Sequence, residues 1–250
     1  MTAEAAAQPQ RLSRKAWSRR PEIAALAVVA WIPTVLLTDR IVGLPGQRLL
    51  GLLTWLLLVA LLRGESPRTR AQVAVVVVFA TVVEYCFAGW LGVYTYRLHN
   101  VPAFVPPGHG LVYLAALSIG STALARRQVR SLVFVTAGFG GAWALWGVTV
   151  SSRPDVLGLF WFGCLVAFLV WGRQPGVYAG AFLVVSMLEL IGTSLGTWRW
   201  AAVDPILGWV SMGNPPSGAA GGYGWFDLTA VLLAPAALRV LRIHPGSERA

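Results

Sequence analysis

Long apolar runs separated by short polar segments make up most of the chain. Residues 71–83 and 176–188 contain no charged residue, and eight such runs predict helices that cross a membrane. The predicted helices cover residues 22–38, 48–62, 71–94, 108–125, 131–151, 155–171, 175–196 and 225–241. A transmembrane β-barrel would need alternating polar and apolar positions, which these runs lack. The pattern therefore predicts an all-α polytopic membrane protein with about eight transmembrane helices.

The composition and the arginine distribution support this prediction and orient the chain. Only 12% of the 250 residues are charged and 56% are apolar, whereas a soluble domain carries about 25% charged residues. The net charge of +10 comes from arginines between the apolar runs, which act as topology signals rather than as a nucleic-acid surface. With a cytoplasmic N-terminus, 15 basic residues lie inside and five outside. We therefore expect a bacterial cell-membrane protein with both termini in the cytoplasm.

A motif recurs at a spacing of about 105 residues. Each copy has a glutamate in an apolar run, then Leu-Gly, then two aromatic residues at alternate positions beside an arginine. The copies comprise Glu84, Gly92, Tyr94, Tyr96 and Arg97, and Glu189, Gly196, Trp198, Arg199 and Trp200. Four helices return the chain to its starting side, so the halves would be parallel repeats about an axis along the membrane normal.

The repeat predicts four segments along the chain. They are a basic tail at 1–21, a first four-helix repeat at 22–127, a second at 128–243, and a short tail at 244–250. Each repeat also contains a Pro-Pro pair, at 106–107 and at 215–216, which we expect in outer loops.

Four ionisable residues are predicted to lie at a similar depth in the outer half of the membrane. Counting about 1.5 Å per residue from the flanking cytoplasmic arginine gives depths of about 21 Å for Glu84, 24 Å for Glu189, 18 Å for Asp227 and 25 Å for His109. Ionisable groups at such depths face protein or water rather than lipid. We therefore expect the four to line one cavity, roofed by residues 197–224. As catalytic residues, one glutamate would be the general acid, the other carboxylates would be base or cation stabiliser, and His109 would relay protons.

Basic and aromatic residues near these positions are candidates for substrate binding. Arg97 and Arg199 are predicted to hold a polar head group at the cavity mouth. The candidate rings belong to Tyr94, Tyr96, Tyr113, Trp198 and Trp200. A structural alternative remains open, in which the arginines and tryptophans anchor helix ends in the interface and the buried acids join helices.

The sequence predicts no metal centre and no cofactor. The three histidines, His99, His109 and His244, are too scattered for a metal site, and Cys86 and Cys164 lie in apolar runs as small core residues. No Walker A, His-Glu-x-x-His or Gly-x-Ser-x-Gly motif occurs. Carboxylic acids, one histidine, arginines and aromatic rings remain for any chemistry in the membrane.

One segment starts at Glu84 and continues through Gly92-Val-Tyr94-Thr-Tyr96 to Val101-Pro102 and Pro106-Pro107. This segment resembles polytopic membrane proteins of carotenoid biosynthesis, namely the carotenoid hydratases and lycopene-cyclase-type proteins. The resemblance covers a short stretch of each half and the helix count, and the Pro-x-Glu-Glu motif of the cyclase type is missing. It implies protonation of an isoprenoid double bond by a carboxylic acid, with aromatic faces stabilising the cation. The whole chain also resembles uncharacterised actinobacterial integral membrane proteins, which leaves the function open.

Three functions are therefore compatible with the sequence. The first is an intramembrane enzyme acting on an isoprenoid or lipid from the outer leaflet, and the second is a proton-coupled transporter. The third is a non-catalytic membrane assembly protein. We expect a membrane lipid or isoprenoid as partner and no nucleic acid, with protein partners unspecified. An apparent shortage of polar residues in the inner half disfavours the transporter.

The predicted topology can be tested with reporter fusions. Alkaline phosphatase fused after residue 100 or residue 212 is expected to be active, because the arginine asymmetry puts both positions outside the cytoplasm. The same enzyme fused after residue 128 should be inactive and serves as the control. Activity of a cytoplasmic reporter at residue 100 or 212 would contradict the topology.

Overall fold

Helices form most of the structure, a computed structural model that describes residues 20–240. They are α1 (Arg20–Asp39), α2 (Leu44–Leu62), α3 (Pro67–Glu84), α4 (Val105–Ser121), the short α5 (Ala123–Arg127), α6 (Val129–Thr149), α7 (Val156–Trp171), α8 (Pro175–Ser194) and α9 (Gly221–Val240). The predicted tail at 244–250, and all but the last two residues of the tail at 1–21, lie outside the described residues.

The apolar helices make this a multi-pass membrane protein. Within residues 20–240, five helices are long and apolar enough to cross a membrane: Pro21–Asp39, Leu44–Leu62, Pro67–Leu91, Val129–Thr149 and Pro175–Ser194. Apolar side chains on these and neighbouring helices point outward, among them Phe134 at 80% and Trp171 at 81% exposure. Such exposure is typical of a surface that faces lipid rather than water. The prediction of a helical membrane protein is confirmed.

A π-helix changes the end of the third predicted helix. The chain from α3 continues into a π-helix over Tyr85–Leu91 and ends at Gly92, whose φ of 70° lies in the left-handed region that glycine adopts readily. Gly196 follows α8 with a φ of 72°. A π turn accommodates one extra residue. Accordingly, Gly92 follows Glu84 by eight positions, whereas Gly196 follows Glu189 by seven.

Two short strands follow these glycines and depart from the all-α prediction. The strands, β1 (Tyr94–Tyr96) and β2 (Trp198–Trp200), form an antiparallel ribbon. The register pairs Tyr94 with Trp200, Thr95 with Arg199, and Tyr96 with Trp198. Because side chains alternate across a strand, the four aromatic rings share one face and the two central residues share the other. The pairing is symmetric about its centre, so the first aromatic residue of each motif copy pairs with the second aromatic residue of the other copy.

The most extensive helix packing joins α4 to α8 and α3 to α9. Small residues four positions apart meet across the first of these interfaces: Ala116 and Gly120 on α4, and Gly176 and Gly180 on α8. A Cβ atom on Gly120 would lie 2.7 Å from the backbone nitrogen of Val177. Small residues at this spacing let membrane helices approach closely. The ribbon and these two interfaces therefore connect the first half of the chain to the second.

A Pro-Pro pair also differs from its predicted position. Pro106-Pro107 lies in the first turn of α4 rather than in a loop, where a missing backbone N–H costs no helical hydrogen bond. Pro215-Pro216 does lie in the connection between β2 and α9.

Replacing Gly120 with alanine is expected to destabilise the protein. The added methyl group would meet the backbone of α8, and overpacking of this kind costs about 1–3 kcal/mol of unfolding free energy. Gly138→Ala on α6 is the matched control, since its Cβ would meet open space and alanine favours a helix by up to about 1 kcal/mol. Unfolding in detergent, followed by circular dichroism, measures both variants. The packing interpretation fails if Gly120→Ala is as stable as Gly138→Ala.

Candidate functional site

A cavity of about 260 Å³ lies beside the ribbon, and we call it the ribbon cavity. It is much larger than the space that one water needs. Side chains from α1, α2, α3, the π-helix, α4, α7, α8, α9 and both strands contribute to its wall. Most of this wall is apolar, and its acidic residues and histidine are Glu84, His109, Glu189 and Asp204. Three of the four ionisable residues that the sequence singled out thus lie on one cavity.

Glu84 is the centre of a hydrogen-bonded chain at the end of α3. Its Oε2 accepts a bond from the Tyr96 hydroxyl at 2.8 Å, and its Oε1 lies 2.8 Å from Nε2 of His109. Nδ1 of His109 lies 2.8 Å from the hydroxyl of Tyr223. With the proton on Nε2, His109 donates to Glu84 and accepts from Tyr223. Both oxygens of Glu84 are thus engaged.

Glu189 is bound on one side only. Its Oε2 accepts hydrogen bonds from the indole Nε1 of Trp198 at 2.9 Å and of Trp200 at 3.0 Å. Its Oε1 receives no hydrogen bond from residues 20–240, and Glu189 lines the cavity. The missing side chain of Gly192, on the same helix, leaves room for the Trp198 ring.

Asp227 belongs to a different cluster. Its carboxylate accepts hydrogen bonds from the Tyr113 hydroxyl at 2.7 Å and the Tyr178 hydroxyl at 3.0 Å. All three residues are at least 95% buried, and none of them lines the ribbon cavity. Asp227 follows Tyr223 by four positions on α9, about 6 Å along the helix. The expectation that Asp227 shares the cavity is therefore wrong, and with Tyr113 it joins α4, α8 and α9.

The predicted head-group arginines also have other contacts. Arg97 lies 3.5 Å from Oδ2 of Asp39 and donates from Nη2 to the backbone oxygens of Asp39 and Val42. Arg199 occupies the centre of β2, is exposed, and lies on the ribbon face opposite the rings. Neither side chain lines the ribbon cavity. The rings of Tyr94, Tyr96, Trp198 and Trp200 do line it.

Part of the connection at 197–224 forms the cavity wall, as predicted for a roof. The contributing residues are Trp198, Trp200, Asp204, Ile206, Pro216, Ala219 and Tyr223. Ile206 is 57% exposed, so the cavity reaches the molecular surface beside it.

Two residues that the sequence interpretation missed hold this roof in place. The Asp155 carboxylate accepts backbone N–H bonds from Gly158, Gly213 and Ser217 at 2.7–3.0 Å. Arg153 donates to the backbone oxygens of Met212, Trp200 and Ala201. An aspartate directly before an apolar helix is an N-cap signal. This signal could have identified Asp155 from the sequence, but it does not predict the bonds to Gly213 and Ser217.

Burial changes the acid–base properties of polar side chains at this end of the bundle. Burial, and then the nearby charge of Glu84, raise the pKa of Tyr94 and of Tyr96 well above its ordinary value. Tyr96 therefore remains a hydroxyl donor to Glu84. Burial and the like charge of Arg199 lower the pKa of the Arg153 guanidinium, whose carbonyl partners stabilise its charged form.

A second cavity, of about 540 Å³, lies at the opposite end of the bundle. Its polar lining includes Arg68, Gln72, Ser118 and Gln174, of which Gln72 and Ser118 are more than 90% buried. The expected shortage of polar residues in this half is therefore wrong. Arg68 and Gln72 lie on α3, Ser118 on α4 and Gln174 directly before α8, and only the packing of these helices brings them together.

Comparison with protein-family models, curated proteins and solved structures finds no match to this chain.

Replacing Gly192 with alanine is expected to displace the Trp198 ring. The methyl group would overlap that ring and break the indole bond to Glu189, and a hydrogen bond contributes about 0.5–1.5 kcal/mol to stability. A loss of that size in unfolding free energy, together with an altered near-ultraviolet circular dichroism spectrum, is the expected result. Gly163→Ala on α7, where a Cβ meets open space, should leave both unchanged. An unaltered spectrum in Gly192→Ala would contradict the described contact.

Proposed function

We propose that this protein is an integral membrane enzyme that performs acid–base chemistry on an isoprenoid or lipid substrate from the outer leaflet. The observation that carries the proposal is the difference between the two glutamates on one apolar cavity. Glu189 keeps one oxygen that receives no hydrogen bond from the described residues, whereas Glu84 is bound to His109. Acid–base catalysis requires one group that gives a proton and another that takes one. The different hydrogen bonding of Glu189 and Glu84 suits them to these two roles.

Glu189 is the proposed general acid. Both of its protein donors bind Oε2, so Oε1 is the oxygen that can carry a proton into the cavity. Transfer of this proton to a carbon–carbon double bond breaks the O–H bond, forms a C–H bond and leaves a positive carbon on the substrate. The four ribbon rings line the cavity with Glu189, and aromatic faces stabilise such a cation.

The chain of Tyr223, His109 and Glu84 is the proposed proton acceptor. Tyr223 lines the cavity and takes a proton from the carbon next to the cation while its own proton passes to Nδ1 of His109. The substrate regains a double bond at a new position, and Glu84 stabilises the imidazolium. If water in the cavity adds to the cation instead, the water proton follows the same path and the product is an alcohol. These two outcomes correspond to the cyclase-type and hydratase-type chemistry that the sequence resemblance implies.

A duplicated architecture is part of the proposal. Eight transmembrane helices would form two parallel repeats, with both termini in the cytoplasm of a bacterial cell. The symmetric register of the ribbon supports a two-fold relation between the halves. The packing of α4 on α8 and of α3 on α9 supports it as well, because a duplication makes these two interfaces equivalent. Glu84 and Glu189 would then be corresponding residues.

A proton-coupled transporter is the second candidate. The polar cavity at the opposite end supports it, because a transporter needs polar access from both sides of the membrane. The buried cluster of Asp227, Tyr113 and Tyr178 lies on the helices between the two cavities. A transporter would move its ligand across the membrane unchanged, whereas the enzyme would leave a chemically altered lipid.

Lipid extracts of a deletion strain, complemented with variants, test the enzyme proposal. Glu189→Gln and Glu84→Gln keep the side-chain size but cannot exchange a proton, so both are expected to lower product formation about 100-fold or more, the size of a general acid–base contribution. Mass spectrometry of the extracted lipids measures substrate and product.

Glu22→Gln is the control, because this glutamate lies in the first turn of α1 and not on the ribbon cavity. It should complement fully. Full complementation by Glu84→Gln or by Glu189→Gln at normal abundance removes the acid–base role of that residue. If both variants complement, a non-catalytic assembly role replaces the enzyme.

A further inference from the structure

The ribbon cavity has an unequal balance of charge. Its described lining includes Glu84 and Glu189 but no lysine or arginine. His109 faces Glu84 and balances that carboxylate when it is protonated. Asp204, a further carboxylate of the lining, accepts two backbone N–H bonds of its own turn. Glu189 and Asp204 thus receive hydrogen-bond donors but no cation from the described residues, and Glu189 is the one that is bonded to rings of the ribbon.

The arginines at this end of the bundle do not reach Glu189. Arg97 is bound to Asp39 and backbone oxygens, and Arg153 is bound to three backbone oxygens. Arg199 lies on the far face of the ribbon. A carboxylate in apolar surroundings is stabilised only when it binds a proton or meets a positive charge. A cationic ligand beside Oε1 would supply that charge.

Aromatic rings lie next to Glu189, since the indoles of Trp198 and Trp200 bond to its carboxylate. The ring centroids of Tyr94 and Trp200 are 4.7 Å apart, and those of Tyr96 and Trp198 are 6.2 Å apart. All four rings line the cavity that contains Glu189. Aromatic faces attract ammonium groups, tryptophan most strongly, and cages of such rings are the usual protein sites for quaternary ammonium ions. A carboxylate beside four rings has the composition of such a site.

The rest of the cavity wall suits a hydrocarbon chain. Its apolar side chains include Ile32, Val35, Leu36, Val112, Val185 and Leu188. A small hydrophilic cation would leave this surface uncovered, whereas an alkyl chain would bury it at a gain of about 25 cal/mol for each Å². The chemistry of the wall therefore favours an amphiphile over a free amine.

We propose that the ribbon cavity binds an alkylammonium cation, with its nitrogen beside Glu189 and the four rings and its chain among the apolar side chains. This inference rests on the proposed function, in that the nitrogen takes the position of the positive carbon that protonation by Glu189 would create. The cavity thus selects positive charge, and the polar head group is held by Glu189 and the rings rather than by Arg97 and Arg199 as the sequence predicted.

Calorimetric titration of the full chain in a non-ionic detergent tests this selectivity. The ligands are decyltrimethylammonium, decanol and decanoate, which share one chain length and differ in head-group charge, and protein-free micelles are the blank. The ammonium is expected to bind about 30-fold more tightly than the alcohol, since a desolvated cation–π contact contributes about 2 kcal/mol. Decanoate should bind most weakly. Glu189→Gln should abolish the preference for ammonium, whereas Glu22→Gln should keep it.

Trp200→Leu provides a second variant that does not depend on the folding of Glu189→Gln. It removes one ring and should weaken ammonium binding severalfold while leaving decanol binding nearly unchanged. Equal affinities of the unaltered protein for all three ligands would overturn the proposal, and so would a preference that survives both site variants. If ammonium selectivity is found but the deletion strain has normal lipids, the cation site stands and the enzyme proposal fails. Altered lipids without ammonium selectivity would support the enzyme and overturn the cation site.

Discussion

A carboxylate between membrane helices has to find its hydrogen-bond donors within the protein, because lipid chains offer none. Glu84 and Glu189 obtain most of theirs from the aromatic ribbon. The ribbon can supply them because each chain segment leaves its helix at a left-handed glycine and turns back over the cavity. The position of the rings, the shape of the cavity and the contact between the two halves all depend on this arrangement.

The roof must also find its hydrogen-bond partners within the protein, but there the polar groups belong to the backbone rather than to side chains. The connection from β2 to α9 contains many peptide N–H and C=O groups that α-helices would have paired internally. Asp155 accepts the N–H groups of Gly213 and Ser217 in this connection, and Arg153 donates to the carbonyl oxygens of Ala201 and Met212 in it and of Trp200 at the end of β2. Two charged side chains from the α6–α7 connection therefore hold an irregular segment in a defined position.

The sequence predicted much of the helical framework but less of the site. Apolar runs and arginine positions identify membrane helices because the bilayer imposes length and composition. Residue counting from arginines brought Glu84, Glu189 and His109 close together, as they are on the ribbon cavity. The same counting gave Asp227 about 18 Å against 25 Å for His109, a difference of about one helical turn. That turn separates the Tyr113–Asp227 pair from the cavity, and it was smaller than the uncertainty that tilt introduces.

The arginines were misjudged for a different reason. The aromatic residues stand at alternate positions, and Arg199 lies between two of them. This alternation is typical of a strand, but strands are rare between membrane helices. As a strand, the segment has to point Arg199 away from the rings. Contacts such as Arg97 with Asp39 join residues 58 positions apart, and no local pattern contains them.

The π-helix after Glu84 has a consequence for how the two carboxylates came to differ. One additional residue changes the direction of every side chain between Glu84 and Gly92, yet Gly92 still adopts the left-handed turn and the tyrosines keep their register with Trp198 and Trp200. On the proposed duplication, the insertion is a local event in one copy of an ancestral motif, and the rest of the architecture absorbs it. A single codon gained or lost is thus enough to break the equivalence of two identical acids. One copy could then specialise in holding a histidine while the other kept an oxygen free for a ligand.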